Sequence, residues 1–246
     1  MTQNQVRFNA VVRLCVAFWL AITGLMVFGQ ARAAVHVQAT RVIYSGDDAS
    51  ASVALRNNST LPYLVQTWLD TGDASSMPEN LPMTLTPPLM RLAPGEEAVV
   101  RAIYSGSGLP QDKESLFWIN IQEIPPASSA TNALQIAIRT RIKLFYRPSQ
   151  LKMSLDEAAR SLKWHMDGPS LIIRNPSPLH ITFAYIQNRQ AGKAEAASAI
   201  DMIKPGETLA VPARGLDLGK SGQLAFGYIN DYGGVSEVRD ALLERK

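Results

Sequence analysis

Apolar and polar positions begin to alternate at Val35 in short runs rich in β-branched and aromatic residues, and the pattern continues nearly to the C-terminus. Helical periodicity is nearly absent. The runs predict strands over residues 35–44, 51–55, 63–69, 89–92, 98–104, 116–124 and 134–146. Seven strands are the count of an immunoglobulin-like sandwich. Between them stand Ser45-Gly46-Asp47-Asp48, Asn57-Asn58-Ser59, Thr71-Gly72-Asp73, Pro94-Gly95 and Pro125-Pro126, residues whose backbone preferences favour turns. Pro87-Pro88 marks an edge or a break, because proline cannot donate to a sheet ladder.

The pattern pauses at residues 149–161 and resumes near 171–174, 181–187, 209–211 and 224–230. This divides the chain into an N-terminal domain over 34–150 and a C-terminal domain over 151–246, both all-β. Residues 155–162 have the composition of a short helix, but one so short is marginal alone, and the expectation is a linker turn.

The first 33 residues differ in kind. Arg7 and Arg13 precede the apolar run 14–28, and Ala31-Arg32-Ala33 supplies a small-x-small cleavage signal. A run of that length falls short of the roughly 20 residues that span a bilayer, so 1–33 reads as a secretory signal peptide cut after Ala33. Cleavage takes three of the 24 basic residues (Arg7, Arg13 and Arg32) and leaves the remainder equal in number to the 21 acids. A chain so balanced has no general pull on nucleic acid or anionic lipid, and any important cation acts locally. Cys15 departs with the leader, leaving no disulfide and no thiol chemistry.

Candidate catalytic motifs are weak. Asp70-Thr71-Gly72 matches the aspartic-protease tripeptide, but no second such loop exists, and Asp73 stands where a small hydroxyl is usual; a turn is the better reading. His36, His165 and His180 have no partner at zinc-ligand spacing. No nucleophile elbow, phosphate loop or dinucleotide fingerprint occurs. The expectation is a protein that is not an enzyme and holds no metal or cofactor. The overlapping sequons in Asn57-Asn58-Ser59-Thr60 read as turn residues.

Residues 134–146 carry more information. Leu134, Ile136 and Ile138 share one face at period two, and Gln135, Ala137 and Arg139 share the other. Alternation alone does not say whether that apolar row enters its own domain's core or another's.

The segment Ile142-Lys143-Leu144-Phe145-Tyr146-Arg147-Pro148 resembles the signature of periplasmic pilus chaperones of the usher pathway. Further blocks agree in order: Thr40-Arg41-Val42-Ile43-Tyr44, Leu61-Pro62-Tyr63-Leu64, Pro87-Pro88 with Arg91-Leu92 and Pro94-Gly95, Leu109-Pro110-Gln111-Asp112, Glu114-Ser115-Leu116-Phe117 and Glu123-Ile124-Pro125-Pro126. In the second domain Arg174-Asn175-Pro176-Ser177-Pro178 and Tyr228-Ile229-Asn230-Asp231-Tyr232-Gly233 also match, so the resemblance covers nearly the whole mature chain.

The resemblance implies two immunoglobulin-like sandwiches in an L shape, with a cleft where Arg41 and Lys143 anchor the C-terminal carboxylate of a pilus subunit in the periplasm. It implies that Leu134, Ile136 and Ile138 complete the subunit's unfinished sandwich by strand addition, that Glu114, Arg147 and Asp231 form a charged network between the domains, and that Pro62 contacts the outer-membrane usher. Two departures stand out. The second domain lacks the cysteine pair of some members, and only nine residues separate Ile124 from Leu134, as in the subfamily that assembles rod-like fibres. The exposed row makes self-association of the free protein an expectation too. A secreted immunoglobulin-like fibre protein fits the sandwich and leader equally well, but not the pairing of Arg41 with Lys143 or the Phe145-Tyr146-Arg147-Pro148 block.

Overall fold

A computed structural model describes residues 33–73, 78, 80–128, 132, 134–188, 201–213 and 223–244. Except for Ala33, the expected signal peptide lies outside the described residues. The first half contains β1 (Val35–Val37), β2 (Arg41–Ser45), β3 (Ala51–Asn57), β4 (Tyr63–Asp70), β5 (Met83–Thr86), β6 (Leu89–Leu92), β7 (Glu97–Tyr104), β8 (Ser115–Ile124) and β9 (Ile138–Arg147). They form two sheets, ordered β1-β3-β7-β5 and β2-β9-β8-β4-β6. Side chains of alternate residues meet between them: Leu55, Val65, Leu92, Val100, Ile119 and Leu144 are all but inaccessible to solvent.

The second half contains α1 (Leu155–Arg160), β10 (Lys163–Asp167), β11 (Ser170–Arg174), β12 (Ile181–Asn188), β13 (Met202–Ile203), β14 (Thr208–Pro212), β15 (Gln223–Ile229) and β16 (Val235–Glu244). Its strands are ordered β13-β12-β15-β16-β10-β11-β14. A separate core gathers around Trp164, whose ring lies 5.0 Å from Phe226 and 6.0 Å from Phe183. The protein is therefore nearly all-β with two domains. Each is pinned by a buried asparagine at a strand end. Asn57 Nδ2 donates to Leu61 O at 2.8 Å and its Oδ1 accepts from Ser59; Asn175 Nδ2 donates to Leu179 O at 2.8 Å and its Oδ1 accepts from Ser177. Asn57 is thus a turn residue whose amide is committed to the fold.

Four expectations are corrected. The run 35–44 breaks after Val37, because β1 pairs antiparallel with β3 while β2 crosses to the other sheet and runs parallel to β9. Strand β5, a short run flanked by turns, lies outside the expected strands. The run 134–146 joins the ladder only at Ile138, opposite Glu123, since the partner strand stops before Pro125-Pro126, which offers no N–H donors. The expected linker turn is helix α1. Ser154 and Glu157 make a reciprocal capping box, and Leu155, Ala158 and Ala159 are buried in the second core, so tertiary packing stabilises what would be marginal alone.

Candidate functional site

Parallel pairing of β2 with β9 sets Arg41 directly opposite Lys143. Their neighbours Val42 and Leu144, and Tyr44 and Tyr146, point into the first core. By alternation the two cations share the opposite face. Residues of the second domain meet them there. Arg41 Nη1 donates to Ile229 O at 3.1 Å, and its guanidinium lies 5.8 Å from the Phe145 ring centre. Phe145 packs near the ring of His180, 5.6 Å between centres.

Arg41 is incompletely satisfied. Its Nε is buried without a hydrogen-bond partner, and among the described residues no carboxylate forms an ion pair with it. Burial lowers its pKa, opposed by the more distant charges of Asp231, Asp201 and Glu114. A guanidinium held in this way is costly unless an anion meets it. Lys143 is buried, its side chain only 9% exposed, and Nζ donates to both carboxylate oxygens of Asp201 at 2.8 and 3.0 Å. The Trp118 ring lies 5.3 Å from the same Nζ.

Beside this pair, Arg147 donates from Nε to Glu114 Oε1 at 3.1 Å and from Nη1 and Nη2 to Asp231 at 2.8 and 2.9 Å. Burial works against the Arg147 charge, but the hydrogen bonds and charges of Asp231 and Glu114 outweigh it and raise its pKa. Glu114 is itself buried. Its Oε2 accepts from the His180 N–H at 2.9 Å and lies 3.0 Å from His180 Nδ1. The structure thus brings Glu114, Arg147 and Asp231 together and adds His180.

The apolar row lies before and at the start of the same strand. Leu134, Ile136 and Ile138 are 87%, 65% and 40% exposed, whereas Ile142, Leu144 and Tyr146, at the same parity, enter the first core. The row Leu134, Ile136 and Ile138 therefore does not fill its own domain's core, whereas the later part of the segment does. Pro62 sits half-buried before β4, between the exposed Leu61 and Leu64, and is not part of the cation site. Asp70 ends β4 and is buried, accepting from Arg141, from Asn120 Nδ2 at 2.7 Å and from Gly72 N at 2.7 Å. Burial alone would raise its pKa, but these donors hold the carboxyl below the usual range. It is a structural ion-pair partner. No group of three metal-ligating side chains occurs among the described residues, nor does any helix there have the length and apolarity to cross a membrane.

Sequence reasoning misses Asp201 and the role of His180. Metal-ligand spacing is the only signal His180 offers, and Asp201 belongs to no motif; its approach to Lys143 is created by the packing of β12 against the segment carrying it, where Phe183 N donates to Asp201 O at 3.0 Å.

The fold and this site define a two-domain immunoglobulin-like protein with a sheltered cation pair and an exposed apolar segment. Residues 34–152 match the family described as pili and flagellar-assembly chaperone, PapD N-terminal domain, and residues 157–239 match pili assembly chaperone PapD, C-terminal domain. The chain belongs to this family of pilus-assembly chaperones. It is 39% identical over 217 residues to the "Probable fimbrial chaperone YadV" of Escherichia coli strain K12, covering 82% of this chain and 87% of that one. The Pseudomonas aeruginosa CupB2 chaperone superposes with a TM-score of 0.71 at 34% identity, covering 84% of this chain and all of that one. A structure of the Salmonella enterica SafA pilin in complex with the SafB chaperone gives a TM-score of 0.72 at 28% identity, covering 86% of this chain and 98% of the matched one.

Proposed function

We propose that this protein is a periplasmic chaperone that binds, folds and caps fimbrial subunits and passes them to an outer-membrane usher. The observation that carries the reading is the pairing of Arg41 with Lys143 on adjacent strands, with Arg41 Nε buried and unpartnered. A terminal carboxylate suits that position, because charge-assisted hydrogen bonds to a guanidinium and an ammonium gain strength away from water. The complex of SafB with a pilin supports subunits as the ligand class.

Leu134, Ile136 and Ile138 then serve as the donated strand. Leu134 and Ile136 precede the last β8–β9 pair, Glu123 with Ile138, and β2 pairs with β9 only from Lys143 onward, which leaves backbone of this segment for a subunit's open edge. The carboxylate anchor sets the register, and a slip of one residue would present Gln135, Ala137 and Arg139 instead. Glu114, Arg147 and Asp231 hold the cleft between the domains; such a network is close to neutral energetically and acts through orientation. Pro62, with exposed Leu61 and Leu64 beside it, is assigned to the usher contact. Nothing in this scheme requires a cofactor or a catalysed reaction.

Co-expression with candidate fimbrial subunits, followed by purification from the periplasm, tests the reading. Soluble equimolar complexes are expected with the wild type and not with Arg41→Ala or Lys143→Ala. Equal recovery by all three would refute the anchor.

A further inference from the structure

Two charges remain without a role. The first is Asp201, the partner of Lys143. The Lys143 side chain is enclosed, while Asp201, its ion-pair partner across the domains, is 73% exposed. Asp201 also lies close enough to favour the charged form of Arg41. A carboxylate from within the chain therefore occupies the position that the proposed function gives to a carboxylate from outside it. We propose that Asp201 is a displaceable internal counter-ion, which neutralises Lys143 in the free protein and must swing out when a chain terminus enters. This rests on the anchor reading and sets its selectivity: an entering group has to displace an existing ion pair, which an amide or hydroxyl does not do. The exposed side chain can rotate into water at little cost, whereas Lys143 stays in place beside Trp118, 5.3 Å away.

The test follows the Lys143 side-chain ammonium by NMR in the full mature protein, with acetate as the carboxylate probe and acetamide as control. Asp201→Asn is expected to bind acetate about five-fold more tightly than wild type, the scale of an ion pair with one exposed partner. Asp201→Glu is expected to restore the wild-type value, and acetamide to leave the signal unmoved. Equal acetate affinity in wild type and Asp201→Asn, or weaker affinity in the variant, overturns the role of Asp201 alone. An ammonium signal that acetate moves in no variant overturns the anchor reading, and this inference with it.

A second, independent observation concerns Glu123. It lies on the core-facing side of β8 with Phe117, Ile119 and Ile121, is 5% exposed, and forms no ion pair among the described residues. Its carboxylate accepts from the backbone N–H of Val35 at 2.5 Å and of Ala34 at 3.2 Å. Ala34 is the first residue after the expected cleavage point. Hydrolysis of the Ala33–Ala34 amide by a signal peptidase adds water, leaving a carboxylate on Ala33 and an amine on Ala34, which takes up a proton. We infer that the new ammonium becomes the counter-ion of Glu123, so that removal of the leader stabilises the fold. In the precursor Glu123 keeps its two backbone N–H donors but has no ammonium at residue 34, so the fold is less stable during export.

Mature protein beginning at Ala34, its N-acetylated form and the Glu123→Gln variants of both complete a thermodynamic cycle by denaturant unfolding. The expected result is an unfolding constant at least ten-fold larger on acetylation when Glu123 is present, and little change on acetylation of the Glu123→Gln variant. Equal effects of acetylation in both backgrounds would sink the inference, as would a mass spectrum showing another N-terminus.

Discussion

Truncation of the apolar row should weaken subunit binding in proportion to what each side chain still has to bury. Leu134 is 87% exposed in the free protein, so nearly all of its apolar surface is available to a subunit. Full burial of such a side chain contributes about 2 kcal/mol, and Leu134→Ala should therefore raise Kd about 30-fold. Ile138 is 40% exposed and has about half as much surface left to bury, so Ile138→Ala should cost roughly 1 kcal/mol, about five-fold. Ile136, at 65%, should fall between them. Gln135→Ala, on the other face, should leave binding unchanged. Calorimetry with a purified subunit measures the affinities, and thermal unfolding of each free variant separates binding from stability. Leu134→Ala should leave the free protein's stability within about 0.5 kcal/mol of wild type. The reasoning is refuted if the order Leu134, Ile136, Ile138 is reversed, or if Gln135→Ala costs as much as Leu134→Ala.

Arg147→Ala leaves Glu114 buried with a smaller share of its partners and should destabilise the protein by about 3 kcal/mol in denaturant unfolding; small-angle scattering should show the two domains reoriented. Loss of the helix cap through Ser154→Ala should cost about 1 kcal/mol of stability without altering subunit affinity, both read from the same preparation. Asp70 is held below its ordinary pKa, so its contribution to stability is complete above about pH 4, the unfolded value, and is lost as the pH falls through the lower folded value. Acid unfolding of Asp70→Asn followed by circular dichroism should lack that part of the pH dependence. Gly233 has φ near +84°, and a Cβ there would collide with Thr40 Oγ1, next to Arg41. Gly233→Ala should lower stability by at least about 1 kcal/mol and weaken subunit binding, with partial rescue by Thr40→Gly.

Most strands of the first domain were legible because two packed sheets impose strict alternation, as in Ala51–Asn57 and Glu97–Tyr104. Strand Val235–Glu244 was not. Its buried residues Val238 and Ala241 stand three apart, because the pairing with its neighbour shifts register between Leu224 and Phe226 and breaks the period of two. Helix α1 reads from the sequence as a turn because it is short; its Ser154–Glu157 capping box and above all its burial against the second core decide for a helix, and that burial has no local signal. At the site, no local pattern links Arg41 to Lys143: their adjacency is a product of a parallel crossover joining distant segments. Resemblance to a family supplied it. The Lys143–Asp201 contact had neither a local pattern nor a family block to announce it.

The parity of β9 constrains how this protein can diverge. One continuous backbone carries Ile142, Leu144 and Tyr146 into the chaperone's own interior and leaves Ile138, at the start of β9, and Leu134 and Ile136 before it exposed. Ile138 shares the pleat of β9 with the buried set, so inserting or deleting one residue between Ile138 and Ile142 inverts Ile138 relative to that set and shifts the segment before it by one residue. On the proposed function, such a change spoils either the host sandwich or the guest's. Adaptation to new subunits must then proceed by exchanging side chains at fixed positions, or by length changes confined to the loop before Leu134, where the phase of neither set is at stake.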